Sequence, residues 1–468
     1  MPYLASTNKD RAVMLAAVGR SSVDEFFASL PNHGHMQTST IPEPVGEFEL
    51  VAAMANLAAT NRVVLRDRSF LGAGAYRRFV PAIARYVASR PEFYAPYALS
   101  HSEVHQGTLQ ALYEYQSLLG VLTGMQCVNA SLYDGASACA EAVLLAKRVT
   151  GRADAIVSGA LHPEVQEVIR TYAYGQGLQV RQVPWSPATG AMSAEEIARQ
   201  LDPRVGAVVV QYPNVFGVIE DLLPLAEQVH AAGALLVVYA DLVALALLKS
   251  PGDSGADIVV GEAQSLGLTV SCGGPSLGFF ATRMDYLDEM PGVIVEACQD
   301  GEGRRGFAVR DYGARDRSLL RERAVSNVGT TSTLPAITTA AYLAALGPRG
   351  FRRVAELSFH RTHYLAERLS ALAGCRVRFS APFLGEVTLE LPCRAAWFAD
   401  GLRRRGFLAG LPLGGWYSGL DNCLLLGASE CTAREALDHF AEACLAQLAE
   451  GRTSRGTAEV AGLGSVSL

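Results

Sequence analysis

Apolar residues recur along this chain in two rhythms, and the change from one to the other divides it. Up to about residue 124 the spacing is helical. It covers a stretch around Asp10–Val18 and positions through 47–92 broken by the glycine-rich run Ser69-Phe-Leu-Gly-Ala-Gly-Ala-Tyr76. Leucines and tyrosines then fall three or four apart from Glu103 to Thr123, where Gly124 predicts a stop. Beyond it, short β-branched runs at Ala155–Val157, Leu178–Val183, Val205–Gln211, Leu235–Tyr239 and Asp257–Val260 alternate with helical segments at 137–149, 163–175, 193–201 and 222–232. Strand, helix, strand, helix predicts a largely parallel sheet covered on both faces. Ser193-Ala-Glu-Glu196 reads as a capping box opening one of these helices.

After an apolar helix at Thr333–Gly347, strands at Val377–Phe379, Val387–Leu391 and Cys423–Leu426 fall between helices at 349–373, 395–405 and 432–449. That predicts a second, smaller α/β domain. The expected organisation is an N-terminal helical segment over 1–60, a large domain over 61–335 and a small one over 336–450. The aperiodic Gly-, Ser- and Thr-rich stretch 451–468 is expected to be a mobile tail.

Composition narrows the function. The 468 residues are 50% hydrophobic and 18% charged, a globular balance with length for two or three domains whose cores need no disulfide. The formal charge is −6, from 40 basic and 46 acidic side chains with no concentrated basic stretch, which argues against nucleic acid and anionic membranes as partners. The longest apolar runs, Ala234–Val238 with Leu242–Leu248, are broken by Tyr239 and Asp241. They fall short of the ~20 residues that span a bilayer. Met1–Arg20 carries charges among its apolar residues, unlike a signal peptide, and a cytoplasmic protein is expected. Nine dispersed cysteines with no CxxC pair predict reduced thiols and no metal site.

Three places hold candidate chemistry. Asn129-Ala-Ser-Leu-Tyr-Asp-Gly-Ala-Ser-Ala138 is a turn opening a helix, so the amides of Gly135, Ala136 and Ser137 are placed to bind a phosphate, or else Asp134 or Ser137 simply caps that helix. Asp241 follows the strand Leu235–Tyr239, where ligands of open α/β sheets bind; a carboxylate there holds a pyridinium nitrogen protonated, or caps the next helix. Gln264, 23 residues after Asp241, lies in the loop Gly261-Glu-Ala-Gln-Ser-Leu-Gly267, followed by Cys272-Gly-Gly-Pro275. Together these outline a pyridoxal phosphate pocket without its lysine. Lysine occurs only at Lys9, Lys147 and Lys249, near the terminus, within a helix, and eight residues after Asp241. A glutamine cannot hold the coenzyme's carbonyl covalently as a lysine does.

The runs Ser69–Tyr76, Gln106-Gly-Thr-Leu-Gln110, Leu122-Thr-Gly-Met125, Asn129–Ala138, His162-Pro-Glu-Val165, Phe216-Gly-Val-Ile-Glu-Asp221, Asp257-Ile-Val-Val-Gly-Glu262, Gly273-Gly-Pro275 and Leu277-Gly-Phe-Phe-Ala281, in order over about residues 1–450, resemble the glycine cleavage system P-protein. More narrowly, the chain resembles subunit 1 of its two-subunit form. The resemblance implies an α/β, fold type I pyridoxal phosphate-dependent transferase-like architecture. In that family the coenzyme lysine belongs to subunit 2, eleven residues before the proline of a glycine-rich turn; the same count back from Pro275 lands on Gln264. The implied function is that of the non-lysine-bearing subunit of a heteromeric glycine decarboxylase. Its coenzyme would be bound by a subunit 2-like partner and none held covalently here. A lipoylated H-protein would accept the aminomethyl group, and the assembly would be a heterotetramer.

Tyr97, Ser326 and Asn327 match family positions in runs that look like loops lining the partner's site. The same runs depart from the family at Ser100, His101, His105 and Gly329, where a tyrosine, a serine and a cysteine are among the residues lost. Those departures bear on whether glycine is the substrate. A paralogous enzyme acting on another amino acid or amine, and a purely structural or regulatory subunit, are the other functions open to such a chain.

Overall fold

The structure, a computed structural model, describes residues 6–29, 44–61, 68–94, 104–271, 273–310 and 332–462, with side chains to residue 450. Tyr97, Ser100, His101, Cys272, Ser326, Asn327 and Gly329 lie outside the described residues. The chain divides into a unit ending at Val63 and one beginning at Val64. In the first, the expected helices are Asn8–Ala17 and Glu47–Ala58. Thr7 opens the former with a full capping box: Asp10 N–H donates to Thr7 Oγ1 and the Asp10 carboxylate accepts the Thr7 N–H.

The second unit is built on a seven-stranded sheet. Its strands are β1 (Cys127–Val128), β2 (Asp154–Ser158), β3 (Gln179–Val183), β4 (Val205–Tyr212), β5 (Leu235–Ala240), β6 (Ile258–Glu262) and β7 (Gly278–Thr282), in the order β1-β7-β6-β5-β4-β2-β3. From β3 through β6 all pairs are parallel, as the alternating pattern predicts, while β7 runs antiparallel to both its neighbours. Side chains alternate between two apolar layers. Val208, Val210, Leu236, Val238 and Val259 pack in one core with the helix Gln106–Thr123. Val209, Val237, Ile258 and Val260 pack in the other with the helix Gly135–Thr150. Covering both faces is what makes these strands continuous apolar runs. Gly124, in the left-handed region at φ 70°, ends the Gln106 helix as expected.

A hairpin of β8 (Val295–Gln299) and β9 (Arg305–Val309) stands apart from the sheet. Two helical stretches within Thr333–Ser370 meet at Gly347, whose φ of 60° and following Pro348 break the helix where the sequence places a boundary. The small sheet joins β10 (Arg376–Val377), β11 (Glu386–Glu390), β12 (Leu411–Pro412) and β13 (Cys423–Gly427) in the order β10-β11-β13-β12, and every pair is antiparallel. Its core contains Val387, Leu389, Phe398, Leu424, Leu426 and Phe440. Phe440 belongs to the last helix, Arg434–Gly462, which continues past the end expected near residue 449. Among the described residues no helix is long and apolar enough to cross a membrane.

The capping box at Ser193 forms by half. Ser193 Oγ accepts the Glu196 N–H, but the Glu196 carboxylate turns to Gln200 and Arg199. Polar and charged partners one turn along the helix outcompete the reciprocal bond.

Candidate functional site

The parallel strands β4, β5 and β6 end on one side of the sheet, and the polar residues at their ends face a small cavity. It is lined by Tyr76, Arg78, Gln211, Asn214, Tyr239, Asp241, Glu262 and Glu386 among others, and its volume of about 40 Å³ holds a few waters. Of the sequence candidates Asp241 lines it, while the Gly135 helix start and Gln264 stand one hydrogen bond behind, against the lining residues Glu262 and Tyr76.

Each is already engaged by the chain itself. Asp134 caps the Gly135–Thr150 helix, accepting the Ser137 N–H at 2.7 Å, and the Gly135 N–H donates to Glu262 Oε2 at 3.0 Å. Gly135 must be glycine, since a Cβ there would come within 2.7 Å of the Glu262 backbone N and the Tyr239 hydroxyl. Asp241 Oδ1 accepts the Val243 N–H at 2.9 Å, which caps the short turn after β5. Burial raises its carboxyl pKa, opposed by the nearby Arg78 guanidinium. Gln264, 7% exposed, spends its amide on backbone. Oε1 accepts the Tyr76 N–H at 3.3 Å, and Nε2 donates to the carbonyls of Tyr76 at 3.4 Å and Leu268 at 2.9 Å.

The glycine-rich run 69–76 therefore lies across the cavity as a strap. Besides Gln264, Glu386 holds it: the Ala73 N–H donates to Oε1 at 2.6 Å and the Tyr76 hydroxyl to Oε2 at 2.7 Å. Gly72 gives the room, because a Cβ there would sit 2.0 Å from Glu386 Oε1. Glu430 holds the strap's end, accepting the Phe79 N–H at 2.7 Å and Arg78 Nη1 at 2.9 Å between side chains that are 6% and 4% exposed. Burial pushes the Glu386 carboxyl up to about 7, against the hydrogen bonds from Ala73 and Tyr76, which lower it. The Tyr76 phenol is driven upward by burial first and by the Glu386 charge next.

Glu262, Glu386 and Arg78 are pocket residues to which the sequence pattern assigns no role. Glu262 carried a signal, since it ends an apolar strand at the carboxyl edge of the sheet, where polar side chains meet ligands. Glu386 carried none, its strap partner Tyr76 being 310 residues away. His105 starts the Gln106 helix without making a side-chain cap. Lys147 Nζ donates to the Gln176 carbonyl, and neither it nor Lys249 lines the cavity.

These residues do not fit pyridoxal phosphate. Among the described residues no lysine lines the cavity, and the helix-start amides of Gly135 and Ser137 are bonded to carboxylates of this chain.

The fold and sequence have clear relatives. At 12% identity and a TM-score of 0.67, a Lactobacillus brevis glutamate decarboxylase, matched over 91% of this chain and 97% of its own, shares the fold, which is the fold type I architecture. A crystal structure of glycine decarboxylase (P-protein) of the glycine cleavage system, in inhibitor-bound form, matches at a TM-score of 0.87 and 39% identity over 96% of this chain and all of its own. The probable glycine dehydrogenase (decarboxylating) subunit 1 of Desulforamulus reducens is 41% identical over 442 residues, 94% of this chain and 98% of that protein. With the glycine cleavage system P-protein family model matching residues 1–392 as well, the chain belongs to the P-protein family.

Proposed function

We propose that this chain is the lysine-free subunit of a two-subunit, pyridoxal phosphate-dependent glycine dehydrogenase (decarboxylating) of the cytoplasm. Relatives named as subunit 1 imply a second subunit. In this reading that partner carries the coenzyme and its lysine, glycine loses carbon dioxide in the partner's pocket, and the aminomethyl group passes to the lipoyl arm of an H-protein. Two copies of each subunit make a heterotetramer. The observation that carries the reading is Gln264: eleven residues before Pro275, where the family resemblance expects the lysine, it pairs its amide with the backbone of Tyr76 and Leu268. Gly135, Ala136, Ser137 and Asp241 are then the remnant of a second coenzyme pocket. We assign Tyr97, Ser326 and Asn327 to lining the partner's site.

Borohydride reduction of the co-expressed complex followed by peptide mapping tests this. The expected pyridoxyl label is on the partner alone, with glycine decarboxylation only when both subunits are present. A stoichiometric adduct on Lys147 or Lys249, or a partner that turns over glycine at full rate by itself, overturns it.

A further inference from the structure

The misfit between this pocket and a phosphorylated coenzyme has a specific centre. Glu262 closes β6, and its carboxylate accepts three backbone N–H groups from three segments. Oε1 takes those of Gln264 at 3.0 Å and Leu277 at 2.7 Å, and Oε2 takes that of Gly135 at 3.0 Å. Leu277 leads into β7, Gly135 opens the long helix behind the sheet, and Gln264 begins the loop after β6. A carboxylate bound by converging backbone amides at the positive end of a helix is the arrangement in which proteins hold a phosphate.

We propose that Glu262 is a built-in anion that takes the place of a coenzyme phosphate in this chain, tying the Gly135 helix to β6 and β7 and closing the cradle to phosphorylated ligands. Two further observations support it. Asp134 Oδ1 already occupies the Ser137 N–H at 2.7 Å, so a phosphate dianion would meet two carboxylates at one helix start. The packing leaves no gap, because the Gly135 Cα lies against Gly261, Glu262 and Tyr239 so closely that a Cβ would come within 2.7 Å of each. A lysine restored at position 264 would therefore not restore coenzyme binding on its own.

The inference rests on the reading of this chain as the coenzyme-free subunit, but it fails separately: peptide mapping tests that reading, whereas phosphate-dependent melting tests this one. The experiment uses the full complex with its partner's coenzyme in place, melted in one chloride buffer with low-millimolar inorganic phosphate or the same ionic strength of added chloride, too dilute for phosphate's general stabilising effect to register. For the native complex the two salts are expected to give the same melting temperature. Glu262→Ala is expected to melt a few degrees lower in chloride and to recover part of that loss saturably in phosphate. A variant that melts with the native protein, a destabilised variant indifferent to phosphate, or a native complex that phosphate stabilises each overturns the proposal. Should Glu262→Ala not assemble, Glu262→Gln keeps the volume and one acceptor oxygen. Amide exchange at whichever of Gly135 and Leu277 then faces the side-chain –NH2 is expected to quicken about ten- to a hundredfold. Unchanged protection there overturns the proposal as well.

Discussion

Two segments of the large unit are held down by the same device and with opposite electrical character. The strap 69–79 is fastened by side chains that reach its backbone from the small sheet and from the turn beyond β13: Glu386 to the Ala73 N–H and Glu430 to the Phe79 N–H, with Gln264 pairing both polar groups of Tyr76. The β8–β9 hairpin is fastened to the Gln106–Thr123 helix by two glutamines. Gln106 pairs with the N–H and C=O of Phe307 at 2.8 and 2.7 Å, and Gln116 with those of Val295 at 2.9 and 3.1 Å. An amide side chain satisfies a donor and an acceptor at once, as a neighbouring strand does, and it does not titrate. A buried carboxyl is costly to keep ionised, and when protonated it still accepts through one oxygen and donates through the other. The hairpin is thus held at any ordinary pH, while the strap's hold depends on protonation.

Truncating Glu386 is the strongest way to break the parallel. Glu386→Ala leaves the Ala73 N–H and the Tyr76 hydroxyl without their acceptor inside the fold. It is expected to cost about 2–4 kcal/mol and to release the strap, with amide exchange rising across residues 73–79 and staying unchanged at Val295 and Phe307. Equal loosening of strap and hairpin would show that the two are one cooperative unit.

The next effect is on pH. With a folded pKa of about 7 against an ordinary carboxylate near 4.3, Glu386 keeps a proton in the folded state that the unfolded chain has released. Its contribution is full below the ordinary carboxylate range and is lost as pH rises through about 7. Strap amide protection, corrected for intrinsic exchange, is therefore expected to fall between pH 5.5 and 8, and Glu386→Gln is expected to flatten that fall. Glu220, raised to about 7 by burial and holding the Met192 N–H, adds a slope of the same sign to global stability. Glu220→Gln separates the two by flattening the melting curve while leaving the strap's response in place. A hairpin as pH-sensitive as the strap would end the distinction.

Why one segment was legible in the sequence and the other was not has the same physical root. Strands β2, β4, β5 and β6 are buried on both faces, so each is an apolar run bounded by turn residues and stands out locally. The hairpin strand Val295–Gln299 has mixed polarity and is mostly exposed, and nothing in its five residues marks it as a strand. The two-residue β1 is too short to carry a period. At the site, Asp241 and Gln264 were found by their place after strands and by spacing. Their binding partners were not, because Tyr76 is 188 residues from Gln264 and only the folded topology joins them. Gln106 stood in a recognisable family run, yet its partner Phe307 is 201 residues on.

On the hairpin side, Gln116 is the more buried latch, 9% exposed and facing a fully buried Val295. Gln116→Ala strands a backbone donor and acceptor away from water, at an expected cost of about 2 kcal/mol, with exchange of the Val295 amide rising at least about tenfold. Restoring the amide one methylene shorter, as Gln116→Asn, is not expected to recover the loss, since the pair needs the full reach. Recovery by asparagine would mean that the latch tolerates slack and that its two bonds matter little.

The smallest effect should come from Gln106, and its smallness is informative. It begins the helix, where the chain is part-exposed, so after Gln106→Ala water can reach the N–H and C=O of Phe307 that the side chain now covers. Phe307 also keeps its ring contact with Tyr113, centroids 5.3 Å apart, which does not involve Gln106. The net value of exchanging two such hydrogen bonds for water is about 1 kcal/mol or less. Exchange of the Phe307 amide is accordingly expected to rise by no more than about fivefold, identically at pH 5.5 and pH 8, with Val295 unaffected. A larger loss, or one that spreads to Val295, would show the two glutamines acting as a single clasp; Gln106→Ala combined with Gln116→Ala would then cost measurably more or less than the sum of the two alone.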